Sequence, residues 1–367
     1  MCALIAIIGA GPAGCAAAIT LRRYLPEVDV MLISKVAANS ARVPAVGESL
    51  SPGVFPLLDY LGLKQQFLRL GNLSSWSTAS AWGSHQVFER DYLFVGLGSG
   101  WQIDRSKFDA WLIEVAQRAG VRWIQARARR AAYDGERWSI ELDGENRAEA
   151  DSIVDATGRT AWLARSQGVV PQRDDALVAE ARWYARSESE SRVAGVLVET
   201  TEYGWWYSST LPDGRGVAMF MTDSDLRSNT SWHERLAGAP TTSARLTCWR
   251  PTGEYTVRAA HSQKSGMVVG KGWVSAGDAA VAFDPVSSLG IGFSLRSGIE
   301  AARVAVAAAE KDDSQAMAFE ASVGGIYADY RRRLRRIYCR ERRWPTALFW
   351  VRRQSVDRCA ADAANQE

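Results

Sequence analysis

An α/β fold is predicted, in which parallel strands and their covering helices carry an inserted antiparallel sheet and end in a helical C-terminal tail. Three features of the sequence lead there. A glycine-rich turn, GAGPAG at 9–14, lies between a short apolar run and an alanine-rich helical pattern. A second apolar run ends in Gly277-Asp278 and is followed by another small-residue helix at 289–309. Between them, residues 176–258 break into short segments rich in Val, Trp, Tyr and Thr, divided by turn residues.

Composition sets the frame. With 367 residues, 47% hydrophobic and 23% charged, the chain has the make-up of a globular protein with a sizeable core, and disorder, collagen and coiled coil are excluded. The longest apolar run, 3–8, is far short of the ~20 residues of a membrane span, and no secretory leader pattern precedes it. Five scattered cysteines without CxxC spacing suggest reduced thiols in a cytoplasmic protein, with neither a disulfide framework nor a metal site. Three distant histidines, His85, His233 and His261, leave little for a His-based triad. Residues 327–358 hold eleven arginines against three acids, a net +8; the whole chain carries +3, so the rest carries −5.

Each element follows in order. Residues 3–8 (ALIAII) have the pattern of a parallel strand buried on both faces. The glycine turn, the helical CAAAITLRRYL and the buried VDVMLI at 28–33 follow within about thirty residues, the βαβ context that makes GxGxxG informative. A Rossmann-like dinucleotide-binding unit is therefore expected. Residues 36–53 read as loop, and helix resumes near Pro52. The aromatic, glycine-rich 76–101 predicts short antiparallel strands, and 103–119 an amphipathic helix capped by Asp104. RWIQARARRAAY and RWSIEL, joined by Asp134-Gly135, predict a hairpin, and SIVDATG at 152–158 another buried strand. The expected division is 1–75, 103–175 and 265–314 for nucleotide binding, 76–102 and 176–264 for an antiparallel substrate domain, and 315–367 for the basic tail.

The glycines have separate tasks. Gly9 allows the tight turn, Gly11 lets the backbone approach a pyrophosphate, and Gly14 packs helix on strand, while Pro12 and Ala13 open a helix whose N-terminus favours phosphate. The acid expected after the second strand is absent; Ser34-Lys35 stand there, with Ser34 as the substitute partner for a ribose hydroxyl. The second cluster is GWVSAGDAAVAFDPVSSLGIG, 272–292. Gly277 and Asp278 fall at the carboxyl edge of a strand, Asp278 able to accept from a sugar-alcohol chain, and after Pro285 the residues Gly290, Ile291 and Gly292 open a long helix toward the ring of a flavin. Two such sites fit the long FAD better than NAD. Arg105 suits the cofactor's phosphates or ribityl chain, or is a solvated helix charge. Glu48 and Ser49 sit beside the ring or form a cap pair for the helix at 52. GESLS is not a nucleophile elbow, lacking the second glycine of G-x-S-x-G. Trp82, Trp205, Trp206 and Tyr207 line a substrate pocket or pack in the core.

GAGPAG, GES, IDRSKFDAWL, DATGR and GDAAVAFDPVSSLGIG, in this order, resemble the group A flavin-dependent monooxygenases and the related tryptophan-halogenase-like flavoproteins. GWWYSSTLPDGR, DPVSSLGIG and YCRERRWPTALFWVRRQ most resemble the LodB/GoxB/QhpG group, which hydroxylates a tryptophan of a partner protein during tryptophylquinone biogenesis. The resemblance implies an FAD fold of the GR2/PHBH type, with Gly9, Gly11, Gly14, Arg42, Arg105 and Asp278 touching FAD and Glu48 and Ser49 beside the ring. Two departures bear on chemistry. The W-x-W-x-I-P of the halogenases fails, because Trp205-Trp206-Tyr207 runs into SSTLP. Lys64 is the one lysine between Lys35 and Lys107, in a helix of packing character, so the lysine that captures hypohalous acid has no clear counterpart.

The implied activity is hydroxylation of an electron-rich aromatic, plausibly an indole or tryptophan, free or in a partner polypeptide, through a flavin C4a-hydroperoxide formed with O2 after reduction by NAD(P)H or a separate reductase. A halogenase and a non-catalytic flavin-binding maturation chaperone are the alternatives. No second nucleotide turn, no nucleic-acid module and no integral membrane segment is readable. The Arg-rich tail is a solvated helix with Leu334, Ile337 and Tyr338 packed inward, or a docking surface for an acidic partner.

Overall fold

In the computed structural model, residues 3–35, 46, 49–91, 98–186, 195–354 are described. Five elements build the parallel core: β1 (Leu4–Ile8), β2 (Asp29–Ser34), β3 (Arg122–Gln125), β4 (Ser152–Asp155) and β5 (Trp273–Ser275). They lie in the spatial order β5-β4-β1-β2-β3, extended beyond β5 by the antiparallel Val269–Gly270. Ile5, Ile7, Val154 and Val274 are fully buried, because helices cover the sheet.

Helices α1 (Pro12–Tyr24), α2 (Arg105–Arg118) and α3 (Gly290–Ala309) pack on this sheet. Small residues bring α1 and α3 close: a Cβ on Gly298 would stand 2.2 Å from the Ala13 carbonyl oxygen. Asp104 caps α2, its carboxylate accepting from the Lys107 N–H at 3.1 Å. Ser152 at the start of β4 donates to the Ala305 carbonyl of α3 at 2.7 Å, tying sheet to helix.

The inserted sheet has seven strands in the order Trp249–Ala259, Leu177–Arg186, Gly216–Asp223, Gly204–Thr210, Val196–Thr201, Ser77–Ala81 and Phe88–Asp91. Its neighbours are antiparallel except Ser77–Ala81, which runs parallel to Val196–Thr201. Period-two alternation gives it two apolar faces. Ala179, Trp205, Met219 and Met221 belong to the main core, whereas Tyr184, Trp206, Phe220 and Trp249 form a second cluster on the opposite face. Two short helices, Trp232–Ala237 and Pro240–Leu246, contribute Trp232 and Leu246 to that second cluster, with Ala239 from the link between them. The sequence reading did not anticipate these helices.

Two local expectations need correction. RWIQ does not continue into the hairpin; it is β3 of the parallel sheet, and Ala128–Tyr133 alone pairs with Trp138–Leu142. Cys339 is disulfide-bonded, contrary to the expectation of reduced thiols, while Cys15 is a buried free thiol. The basic tail forms α4 (Ser314–Cys339) and the short α5 (Leu348–Val351). Leu334 and Tyr338 of α4 face inward as expected and Ile337 is half-buried. Among the described residues no helix is long and apolar enough to cross a membrane.

Candidate functional site

The Gly9–Gly14 turn fits the backbone so closely that its residues are fixed by sterics. Gly9 holds φ +108°, and a Cβ there would lie 2.2 Å from the Ala156 carbonyl oxygen. A Cβ on Gly14 would lie 1.9 Å from the Gly9 carbonyl oxygen, which is how α1 can start so close to β1. Gly11 differs: its Cβ would meet no atom of the chain within 4 Å, because that side faces a cavity. The turn thus excludes side chains for its own packing on one side and leaves space for a ligand on the other.

Two cavities meet at this turn. The first, about 550 Å³, runs over Gly9, Gly11, Ser34, Lys35, Arg127 and Trp162 at the ends of β1 and β2. The second, about 410 Å³, runs between the parallel sheet and the inserted sheet. They share Gly11, Asp109, Ala156 and Gly158, so together they form one elongated groove. Pro12, Ala13, Ser49, Arg105, Asp278, Pro285, Gly290 and Ile291 line the second cavity. The N-terminus of α3 opens into it, presenting free N–H groups and the positive end of a 20-residue helix. An extended dinucleotide fits this groove, with the glycine turn near its middle.

Charged side chains along the groove are held by specific partners. Arg105 grips Asp109 through both carboxylate oxygens, at 3.2 and 3.1 Å, and donates to the Val46 carbonyl at 3.1 Å. Arg159, from DATGR, lies 3.4 Å from Asp278 and donates to the carbonyls of His261 and of Phe283, the latter at 3.1 Å. Asp278 sits at Gly277, where φ is +60°. Its place in the cleft pushes its pKa up, opposed by Arg159 and Arg105. Asp155, at the end of β4, fixes the 156–163 loop by accepting from the Thr157 and Leu163 N–H groups at 3.1 and 2.9 Å.

Asp284 is the least exposed acid of the cleft, at 1%. One carboxylate oxygen accepts from Val286 N–H at 2.9 Å and the other from the Tyr338 hydroxyl at 2.7 Å. Burial pushes its pKa up to about 6. Tyr338 in turn accepts from the Trp205 indole N–H at 3.1 Å, so a buried chain of three side chains joins α4 to the cleft.

The remaining expected residues fall as follows. Gly277 and Gly14 are buried supports, and Gly292 faces Val54, its Cβ position 3.5 Å from that side chain. Ser34 lines the first cavity and accepts from the Trp123 indole at 3.0 Å. Arg42 and Glu48 lie outside the described residues. Of the four aromatic candidates, Tyr207 lines the cleft and three are corrected to packing roles. Trp205 shares the face of Tyr207, but Tyr338 covers its indole. Trp206 points to the opposite face, against Phe220 and Trp232 with ring centroids 4.9 and 4.6 Å away. Trp82 donates to the Ile337 carbonyl at 2.8 Å and packs on Trp205, Tyr338 and Trp350. Sequence reasoning missed Arg159, Asp284, Met219 and Met221; the alternation in GVAMFMTD, matched to GWWYSST, is the signal that puts both methionines on the cleft face.

A glycine turn under an elongated groove, an acid at the sheet edge and a helix N-terminus at the far end define an FAD-dependent oxidoreductase. Residues 4–80 and 84–364 match the family model described as tryptophan halogenase, and the chain belongs to that family. It is 31% identical over 366 residues to LodB of Marinomonas mediterranea, described as an FAD-dependent oxidoreductase, covering 95% of this chain and 96% of that one. Among solved structures it is similar to the peptidyl tryptophan dihydroxylase QhpG, essential for tryptophylquinone cofactor biogenesis, at 26% identity and a TM-score of 0.76, covering 96% of this chain and 79% of that one. The flavin-dependent halogenase CmlS shares the fold at 22% identity and a TM-score of 0.86, over 100% of this chain and 71% of that one.

Proposed function

We propose that this protein is a monooxygenase that hydroxylates an electron-rich aromatic ring, the indole of a tryptophan carried by a partner polypeptide. The observation that carries the reading is the cleft wall opposite the glycine turn, made by Ala179, Tyr207, Met219 and Met221. It is largely apolar, and among the described residues no lysine lines it. The likeness to QhpG, a peptidyl tryptophan dihydroxylase, supports a polypeptide substrate.

FAD, once reduced by NAD(P)H or a separate reductase, supplies an electrophilic oxygen atom drawn from O2. This chain's residues bind and orient. The 9–14 turn and the α1 N-terminus take the diphosphate, Gly11 leaving the room it needs. Asp278, steadied by Arg159, accepts from the sugar-alcohol chain. The α3 N-terminus favours negative charge at the ring end of the groove. Tyr207, Met219 and Met221 exclude water and hold the aromatic ring against the reacting face. Ser49, on the same cleft, is the described member of the Glu48-Ser49 pair proposed beside the ring.

Halogenation is the second reading, favoured by the family's name and by the CmlS fold. One experiment separates the two. The purified protein, reconstituted with FAD, NAD(P)H and a reductase, is given tryptophan-bearing peptide with and without bromide. A gain of one oxygen, indifferent to bromide, supports the hydroxylase; bromine incorporation replaces it with the halogenase.

A further inference from the structure

Eight of the eleven arginines of the tail fall into two sets of four. Arg331 pairs with Asp174, Arg352 with Asp223 and Asp225, and Arg353 with Asp223, while Arg343 pairs with Glu341 inside the tail and donates to the Thr200 hydroxyl, so these stitch the tail to the body of the protein. Arg332, Arg333, Arg336 and Arg340 point elsewhere. At 100° per residue they fall within about 100° of one another on α4, opposite the inward-facing Tyr330, Leu334 and Tyr338. Arg332 and Arg333 are 56% and 74% exposed, and the one acid among them, Asp329, touches both. Arg332, Arg336 and Arg340 repeat at i,i+4, a spacing at which like charges work against the helix. Asp329 offsets one of these four charges, so among the described residues the stripe keeps a net +3 on a chain that is otherwise −5.

We infer that this outer face of α4 is the docking surface for the polypeptide substrate, and that the docked segment is acidic. The inference rests on the hydroxylase reading above and adds the chemistry of the partner. A nucleic acid fits less well, because its continuous phosphate track would meet the net-negative body beyond the stripe. The inner face of the same helix holds the cleft: the Tyr330 hydroxyl accepts from the Asp284 N–H at 2.9 Å, and the Tyr338 hydroxyl donates to the Asp284 carboxylate at 2.7 Å. A segment bound on the stripe thus lies about one helix diameter, ~10 Å, from the cleft wall, and a neighbouring stretch of the same chain can reach the groove.

The test uses the FAD-loaded protein and a fluorescein-labelled peptide of alternating Glu and Gly with one Trp, its Lys-for-Glu twin, and a single-stranded DNA oligonucleotide. The acidic peptide binds the wild type, and the triple variant R332Q/R333Q/R336Q binds it about tenfold more weakly, with flavin absorbance and melting temperature unchanged. Equal binding by the variant, equal binding of the Lys twin, or tighter binding of the oligonucleotide than of the acidic peptide overturns the docking surface. Mass spectrometry of the bound peptide keeps the two readings apart. Arginine-dependent binding without oxygen gain retains the surface and removes the hydroxylase; oxygen gain at equal rate in both proteins retains the hydroxylase and removes the surface.

Discussion

Replacing Asp284 by Asn tests the electrostatics of the cleft most sharply. The carboxyl is 1% exposed and its pKa is pushed up to about 6 from an ordinary 3.8 by burial. A carboxyl whose folded pKa lies above its unfolded value holds its proton more tightly when folded. Its contribution to stability is then complete below about pH 4 and is lost as pH rises through about 6. A gap of about two pKa units corresponds to about 3 kcal/mol over the full range, of which roughly 1 kcal/mol is gained between pH 7 and pH 5. Asn keeps an oxygen for the Val286 N–H and an amide for the Tyr338 hydroxyl, but does not titrate. Urea unfolding followed by tryptophan fluorescence at both pH values reads the effect. The wild type gains about 1 kcal/mol more than Asp284→Asn on going from pH 7 to pH 5. Asp278 and Asp155 are shifted in the same direction but are present in both proteins, so they cancel in the difference. Parallel pH profiles for the two proteins would refute the reasoning.

Gly11→Ala and Gly14→Ala make a contrasting pair. Gly11 has room for a Cβ, so its variant melts as the wild type does while flavin titration shows weakened FAD; Gly14→Ala collides with the Gly9 carbonyl and lowers stability by about 1–3 kcal/mol in thermal unfolding. Equal melting of both variants contradicts the packing argument. Arg159→Gln removes the cation nearest Asp278 and a donor to two carbonyls. FAD binding, followed by flavin fluorescence, weakens about tenfold, and more at lower than at higher pH, because Asp278 without its cation protonates more readily. A pH-independent loss assigns Arg159 another role. Lys64→Ala leaves oxygen incorporation into a tryptophan peptide unchanged; loss of turnover with intact flavin binding would give that lysine the place it holds in a halogenase.

The nucleotide half of the fold was legible because its information is local. Gly9 and Gly14 are required by contacts within a few residues or with the adjacent strand, Gly11 leaves open space toward the groove, and hydrophobic runs mark β1, β2 and β4. The inserted sheet was legible as antiparallel, but its faces were not. Trp205, Trp206 and Tyr207 look alike in sequence, and only the pairing register and the covering α4 decide that Tyr207 reaches the cleft. Arg159 and Asp278 lie far apart in the chain and meet because β4 and β5 are neighbours in the sheet. Likewise the tail's net charge concealed that four of its arginines anchor the tail to the body while a separate set forms an outward stripe. Nothing in the local sequence separates an arginine that anchors the tail from one that stands on its outer face.

The central claim is that a flavin held along this groove delivers one oxygen to a tryptophan side chain. Its most direct test is the mass of a tryptophan-bearing acidic peptide after single turnover with the reduced, FAD-loaded protein under 18O-labelled oxygen gas. The expected product is heavier by about 18 Da per hydroxylation, one labelled oxygen atom from O2, located by fragmentation on the tryptophan ring. An unlabelled gain of about 16 Da, or no gain with the flavin fully reoxidised, would contradict it.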